Sequence, residues 1–150
     1  MSWAGKKSVK SIFGSLFHKE QAPSASSGKK ALTAQQRSHI EKRLLLWQED
    51  KAYRIADRTV AEASARIGTS SVLLHRYFAE KGTDFRTWRS RLRIQDAMKE
   101  LIAFPEDSAS VIGRRVGIPD RSNFNRQFKA VTGEFPESWR KKQKYICIIK

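Results

Sequence analysis

The chain of 150 residues has room for one compact unit or two very small ones, which leaves no space within it for a large separate sensory domain. Its 30 Lys and Arg against 15 Asp and Glu give a formal charge of +15, a balance that favours a polyanionic partner such as nucleic acid or an anionic membrane surface. A single cysteine, Cys147, excludes an intrachain disulfide, and the longest apolar runs, Leu44 to Trp47 and Ile146 to Ile149, are far too short to cross a bilayer.

The first residues lack the continuous apolar centre of an export signal, since Lys and Ser interrupt the stretch from Trp3 to Phe17, so a cytoplasmic, nucleoid-associated location is the expectation. Val9, Ile12, Phe13, Leu16 and Phe17 recur with helical spacing beside Lys6, Lys7, Lys10 and Lys19, which predicts an amphipathic helix over 1–18. Four readings of it stand open: contact with an anionic membrane surface, docking on a partner, a remnant of a longer chain, or a weakly ordered tail. Residues 19–31, rich in Gln, Ala, Pro, Ser and Gly, bury too little to order themselves and read as a flexible linker.

From Thr33 onward the pattern is all-α. Thr33 with Gln36, and Thr59 with Glu62, match the capping box, in which two side chains satisfy each other's free backbone N–H. The first helix then buries Ile40, Leu44 and Trp47, and a second, short one buries Val60, Ala63 and Ile67 before stopping at Gly68. Ser70 can cap a third helix with Leu74, Tyr77 and Phe78 inward, ending near Gly82. Asp84 can cap a long linker helix, 84–104, with Phe85, Trp88, Leu92, Met98, Leu101 and Ile102 on its buried side, ended by Pro105. Ser108 or Ser110 starts a short helix holding Val111, Ile112 and Val116, Gly117 stops it, and Asp120 caps a helix whose apolar side is Phe124 and Phe128. Pro136 suits the first turn of a closing helix with Trp139, and 143–150 reads as a separate apolar tail.

The two halves repeat at a spacing of about fifty residues. Ser64 and Gly68 match Gly113 and Gly117, Arg76 and Phe78 match Arg126 and Phe128, Gly82 matches Gly133, Phe85 matches Phe135, and Trp88 matches Trp139. A small residue four positions before a glycine is what a helix-turn-helix needs, because two helices crossing at ~90–120° leave no room for a large side chain at the contact. The units fall at 59–82 and 108–132. A linker helix of roughly 28 Å between them is comparable to the ~34 Å repeat of a DNA groove, so one chain could place both units on one face of a duplex.

Residues 32–142 resemble the DNA-binding domain of the AraC/XylS family of bacterial transcription regulators. The motif runs from Gly68, Thr69 and Ser70 through Leu74, Arg76 and Phe78 to Gly82, then Arg93 and Ala97, then Val116 and Gly117 through Phe124, Arg126, Phe128, Lys129, Gly133, Pro136 and Arg140. Ser64 and Gly113 stand where the family usually has alanine, Ile118 replaces a usual Phe, and Phe135 precedes Pro136 where a small capping residue is common. The resemblance implies a seven-helix fold that binds double-stranded promoter DNA and regulates transcription, often through contact with RNA polymerase. Carried over by position, it implies base contact by Val72, His75 and Arg76 in the first unit and by Arg121, Ser122, Asn123, Asn125 and Arg126 in the second. Arg suits guanine, Asn suits adenine, and Val72 can pack on a thymine methyl. Thr59, Ser70, Ser108 and Lys129 are the candidates for phosphate contact, through helix N-termini, hydroxyls and charge.

Blander readings accompany these. Arg76 and Arg126 could be solvated or paired with acids, His75 could be an exposed histidine without a role, and Arg93 reads better as a brace on the linker helix than as a DNA contact. His18, His39 and His75 are scattered and Cys147 stands alone, so no metal site, cofactor or small-molecule ligand is expected. An enzyme of the DNA-repair transferase type needs an activated cysteine, which an isolated Cys147 does not offer, so no enzymatic activity is expected. Two alternatives to a sequence-specific regulator stay open: a non-specific basic nucleic-acid binder, and the output fragment of a larger, membrane-tethered regulator.

Overall fold

Capping chemistry sets where most of the helices begin. A computed structural model describes residues 30–57 and 59–149, and among them it holds seven α-helices, one 3-10 turn and no strand. The helix expected over 1–18 and most of the linker 19–31 lie outside the described residues. The helices are α1 (Ala34–Glu49), α2 (Val60–Ile67), α3 (Ser71–Glu80), α4 (Phe85–Ala103), α5 (Ala109–Arg115), α6 (Arg121–Thr132) and α7 (Pro136–Ile149). Thr33, Thr59, Ser70, Asp84, Ser108 and Asp120 each accept a backbone N–H three residues on, at 2.6 to 3.3 Å. Each satisfies a donor that the helix itself leaves open, worth roughly 1 kcal/mol apiece.

Two cores form along α4. The first joins Ile40, Leu44 and Trp47 of α1, Ala63 and Ile67 of α2, and Leu74, Tyr77 and Phe78 of α3 to Phe85, Trp88 and Leu92 of α4. Its centre is aromatic: Trp88 lies 5.9 Å from Trp47 and 5.2 Å from Phe78, ring to ring. The second core starts two residues further along α4, where Ile94, Ala97 and Leu101 meet Ile112, Val116, Ile118, Phe124 and Phe128, with Trp139 of α7 against its edge. One continuous helix therefore contributes to both cores, which is how the two units are held at a fixed separation.

Two expectations need correction. Ile102 is 56% exposed, because Ile94, Ala97 and Leu101 already form the inward stripe and the next residue is rotated off it. The expected tail from 143 is the continuation of α7, which runs to Ile149 and leaves Tyr145, Ile146, Ile148 and Ile149 exposed. Buried Arg140 anchors the start of that helix by donating to the carbonyls of Pro105 and Asp107 at 2.9 and 2.7 Å.

Candidate nucleic-acid interface

On α3 and α6, side chains spaced three and four residues apart fall on one face, away from the cores. On α3 that face carries Val72, 58% exposed, His75, exposed, and Arg76, half-buried. On α6 it carries Ser122 and Arg126, both exposed, with half-buried Asn125, while Arg121 is exposed at the helix start. The two sets coincide under a shift of fifty residues, Val72 with Ser122, His75 with Asn125 and Arg76 with Arg126. Exposed Ser71, which sequence reasoning missed, lines a shallow cleft of about 320 Å³ together with Val72, His75 and Arg76; the signal for it was its place directly after the cap Ser70.

Asn123 does not share the outward face. The same shift sets it over Leu73, which packs against the first core, and sets Gln127 over buried Tyr77. In α6 this inward pair is polar and reaches α4: Ser90 Oγ donates to Gln127 Oε1 at 2.6 Å, and Gln127 Nε2 donates to Asn123 Oδ1 at 2.9 Å. Arg126 Nη2 donates to the same Asn123 oxygen at 3.0 Å.

Of the phosphate candidates, Thr59 and Ser70 are exposed, and their oxygens accept the capping N–H while the hydroxyl hydrogens remain to donate. Exposed Lys129 sits with its ammonium 4.7 Å from the centre of the Phe135 ring. That contact gives a use to the unusual Phe135. Ser108 is exposed too, but the start of α5 is already served by a carboxylate, Glu137 Oε1, which accepts from Ala109 N at 3.3 Å. A phosphate there would have to displace it.

Several acids are spent in ion pairs with arginines outside α6. Asp96 and Glu100 of α4 accept from Arg54 at 2.6 and 2.9 Å, Glu100 and Asp107 each accept from Arg115 at 2.7 Å, Asp57 pairs with Arg66 at 2.8 Å, and Glu80 pairs with Arg37 at 2.8 Å. Among the described residues, Arg76, Arg121, Arg126 and Lys129 enter no ion pair, so the outward faces keep their positive charge. Between the units, Arg86, Arg89, Arg91 and Arg93 of α4 line a groove of about 520 Å³ with Asn123 and Gln127 of α6. Burial, reinforced by repulsion from Arg89, pushes Arg93 down to about 10. Asp57, whose carboxylate lies 3.9 Å from Arg89 Nη1, partly offsets the charge on Arg89 and Arg93.

Arg93 itself is a brace. Its guanidinium donates to the carbonyls of Tyr53 and Ile55 at 2.5 and 2.6 Å, fastening the 3-10 turn (Ala52–Arg54) onto α4. Arg54 in that turn holds Asp96 and Glu100 while its backbone meets the second unit: a Cβ built on Gly117, whose φ is +92°, would lie 2.3 Å from the Arg54 carbonyl oxygen. Gly113 is also closely packed, though less so: a Cβ there would come within 2.9 Å of Phe124 Cγ, which accounts for a glycine where alanine is usual.

The comparisons agree with this architecture. A sequence-family profile described as a helix-turn-helix domain matches residues 63–142, more than half of the chain. Among solved structures, the C-terminal domain of AraT, a response regulator from Geobacillus stearothermophilus, superposes with a TM-score of 0.60 at 23% identity, over 69% of this chain and 84% of that one. A protein of unknown function from Listeria innocua superposes with a TM-score of 0.59 at 27% identity, over 68% of this chain and 94% of that one. No curated protein sequence matches at a significant level.

Proposed function

The chain belongs to the AraC-type helix-turn-helix family of DNA-binding transcription regulators, and from that premise we propose that it recognises particular base sequences by seating α3 and α6 in successive major grooves of one duplex. The observation that carries this reading is the duplicated outward face, Val72, His75 and Arg76 on one helix and Ser122, Asn125 and Arg126 on the other, joined by the unbroken helix α4. Arg76, Arg121 and Arg126 read guanine with their paired N–H groups, Asn125 reads adenine, and Val72 packs on a thymine methyl. Thr59, Ser70 and Lys129 hold phosphates, and the arginine groove of α4 lies against the backbone that passes between the two major grooves. The chain acts as a cytoplasmic binder without catalysis, and it acts on transcription through RNA polymerase.

Selection of bound fragments from random duplex DNA tests the reading. Enrichment of one site with two short half-sites about ten base pairs apart is expected, while equal affinity for unrelated sequences at moderate salt would leave only a non-specific basic binder. A second reading draws on the Geobacillus neighbour, in which this fold is the C-terminal domain of a response regulator. By that analogy the chain is the output part of a longer regulator, and the apolar and lysine pattern of residues 1–18 supports a membrane tether at the junction. Liposome flotation of the whole chain against one starting at Ala31 tests the tether, and equal recovery in the bottom fraction removes it.

A further inference from the structure

We propose that Ser90 on α4 and Gln127 on α6 are positioning residues for base recognition, acting through Asn123 to fix the guanidinium of Arg126, and that Asn123 itself does not read adenine. The inference rests on the sequence-specific reading above and adds the linker helix to its determinants.

An amide oxygen has two lone pairs, and in Asn123 both are taken, one by Gln127 Nε2 at 2.9 Å and one by Arg126 Nη2 at 3.0 Å. Bidentate recognition of adenine needs that oxygen to accept from the base's exocyclic amine, so the position is closed to it. Arg126 is the exposed end of the chain of bonds and Ser90 its fixed end, on a helix that both cores grip. An arginine held by one of its N–H groups before DNA arrives surrenders less side-chain freedom on forming the guanine contact. The first unit lacks such a device, because apolar Leu73 stands at the equivalent position.

The test compares base preferences, by selection and by titration against single-base variants of the selected site, for the full chain and its Arg126→Ala, Asn123→Ala, Ser90→Ala, Ser90→Thr and Gln127→Met forms. Arg126→Ala is expected to flatten one base pair. Ser90→Ala and Gln127→Met are expected to lower discrimination at that same pair by roughly three- to tenfold, the effect of one neutral hydrogen bond. Other pairs and the salt dependence stay as they were, and Ser90→Thr, which keeps the hydroxyl, restores the preference. Asn123→Ala is expected to act at the Arg126 pair. The proposal is overturned if the folded Ser90→Ala and Gln127→Met forms keep full discrimination there or weaken every sequence alike, or if Asn123→Ala erases an adenine preference at a different pair. A wild-type chain with no preference at any pair removes the sequence-specific reading, and the brace with it. A preference lost in Arg126→Ala but untouched in the other forms removes the brace alone.

Discussion

Arg126 and Lys129 stand within one turn of each other on α6, yet their losses are expected to look different. Arg126 offers a planar fork that matches two acceptors on one base edge, so Arg126→Ala is predicted to cost ~1–3 kcal/mol at a single base pair and to relax choice there. Lys129 is a point charge held over Phe135, and its contact carries no sequence information. Lys129→Ala is predicted to weaken all duplexes alike and to lower the slope of log affinity against log salt by about 0.9. Titrations of both variants at several salt concentrations separate the two behaviours. The outward residues were legible in the sequence because the repeat and the helical period together select one face. The inward turn of Asn123 was legible only in part: its place fifty residues after Leu73 marked it, but the polar partner Ser90 lies on another element, and hydrogen bonds between distant side chains leave no periodic trace.

Elements followed the sequence closely wherever a local cause acts. Six caps stand where a Ser, Thr or Asp precedes an apolar stripe, and the stripes over α1, α3 and α6 are the buried ones. What escaped was the segment between α1 and α2, whose 3-10 turn has no amphipathic pattern and is held by contacts from about forty residues away, Arg93 to its carbonyls and Asp96 to Tyr53 and Arg54. This turn is the joint between the two units. Gly117→Ala tests it, because the left-handed backbone disfavours any side chain by roughly 1–2 kcal/mol and the new methyl meets the Arg54 carbonyl oxygen, which belongs to backbone and cannot swing aside. A loss of about 3 kcal/mol or more in denaturant unfolding is predicted, against only the backbone's roughly 1–2 kcal/mol for Gly82→Ala, where the space is open and only the φ of +71° is strained. Equal effects at the two glycines would show that the joint bears no load.

At the scale of the whole molecule, charge is sorted: carboxylates pair with scaffold arginines such as Arg54 and Arg115, while Arg76, Arg121 and Arg126 are left outward. Burial raises the Asp96 and Glu100 carboxyls, but the bonds from Arg54, Tyr53 and Arg115 outweigh it and hold both below the ordinary carboxylate range. Because the folded values are lowered, their contribution is complete above the ordinary carboxylate range and is lost as pH falls through the lowered values. Unfolding midpoints measured against pH are therefore predicted to decline below about pH 4, and Arg54→Met is predicted to flatten that decline by removing the cation the two carboxylates share.

The central claim is that a single chain, through α3 and α6 on the stiff spacer α4, occupies two neighbouring major grooves at once. Hydroxyl-radical footprinting of a selected site, at chain concentrations where sedimentation gives one protein per duplex, tests it most directly. Two protected patches on one face of the DNA, about ten base pairs apart, with only one of them lost in a chain carrying Arg121→Ala and Arg126→Ala together, is the predicted outcome. A single patch, or a second one that appears only when another copy binds, would contradict it.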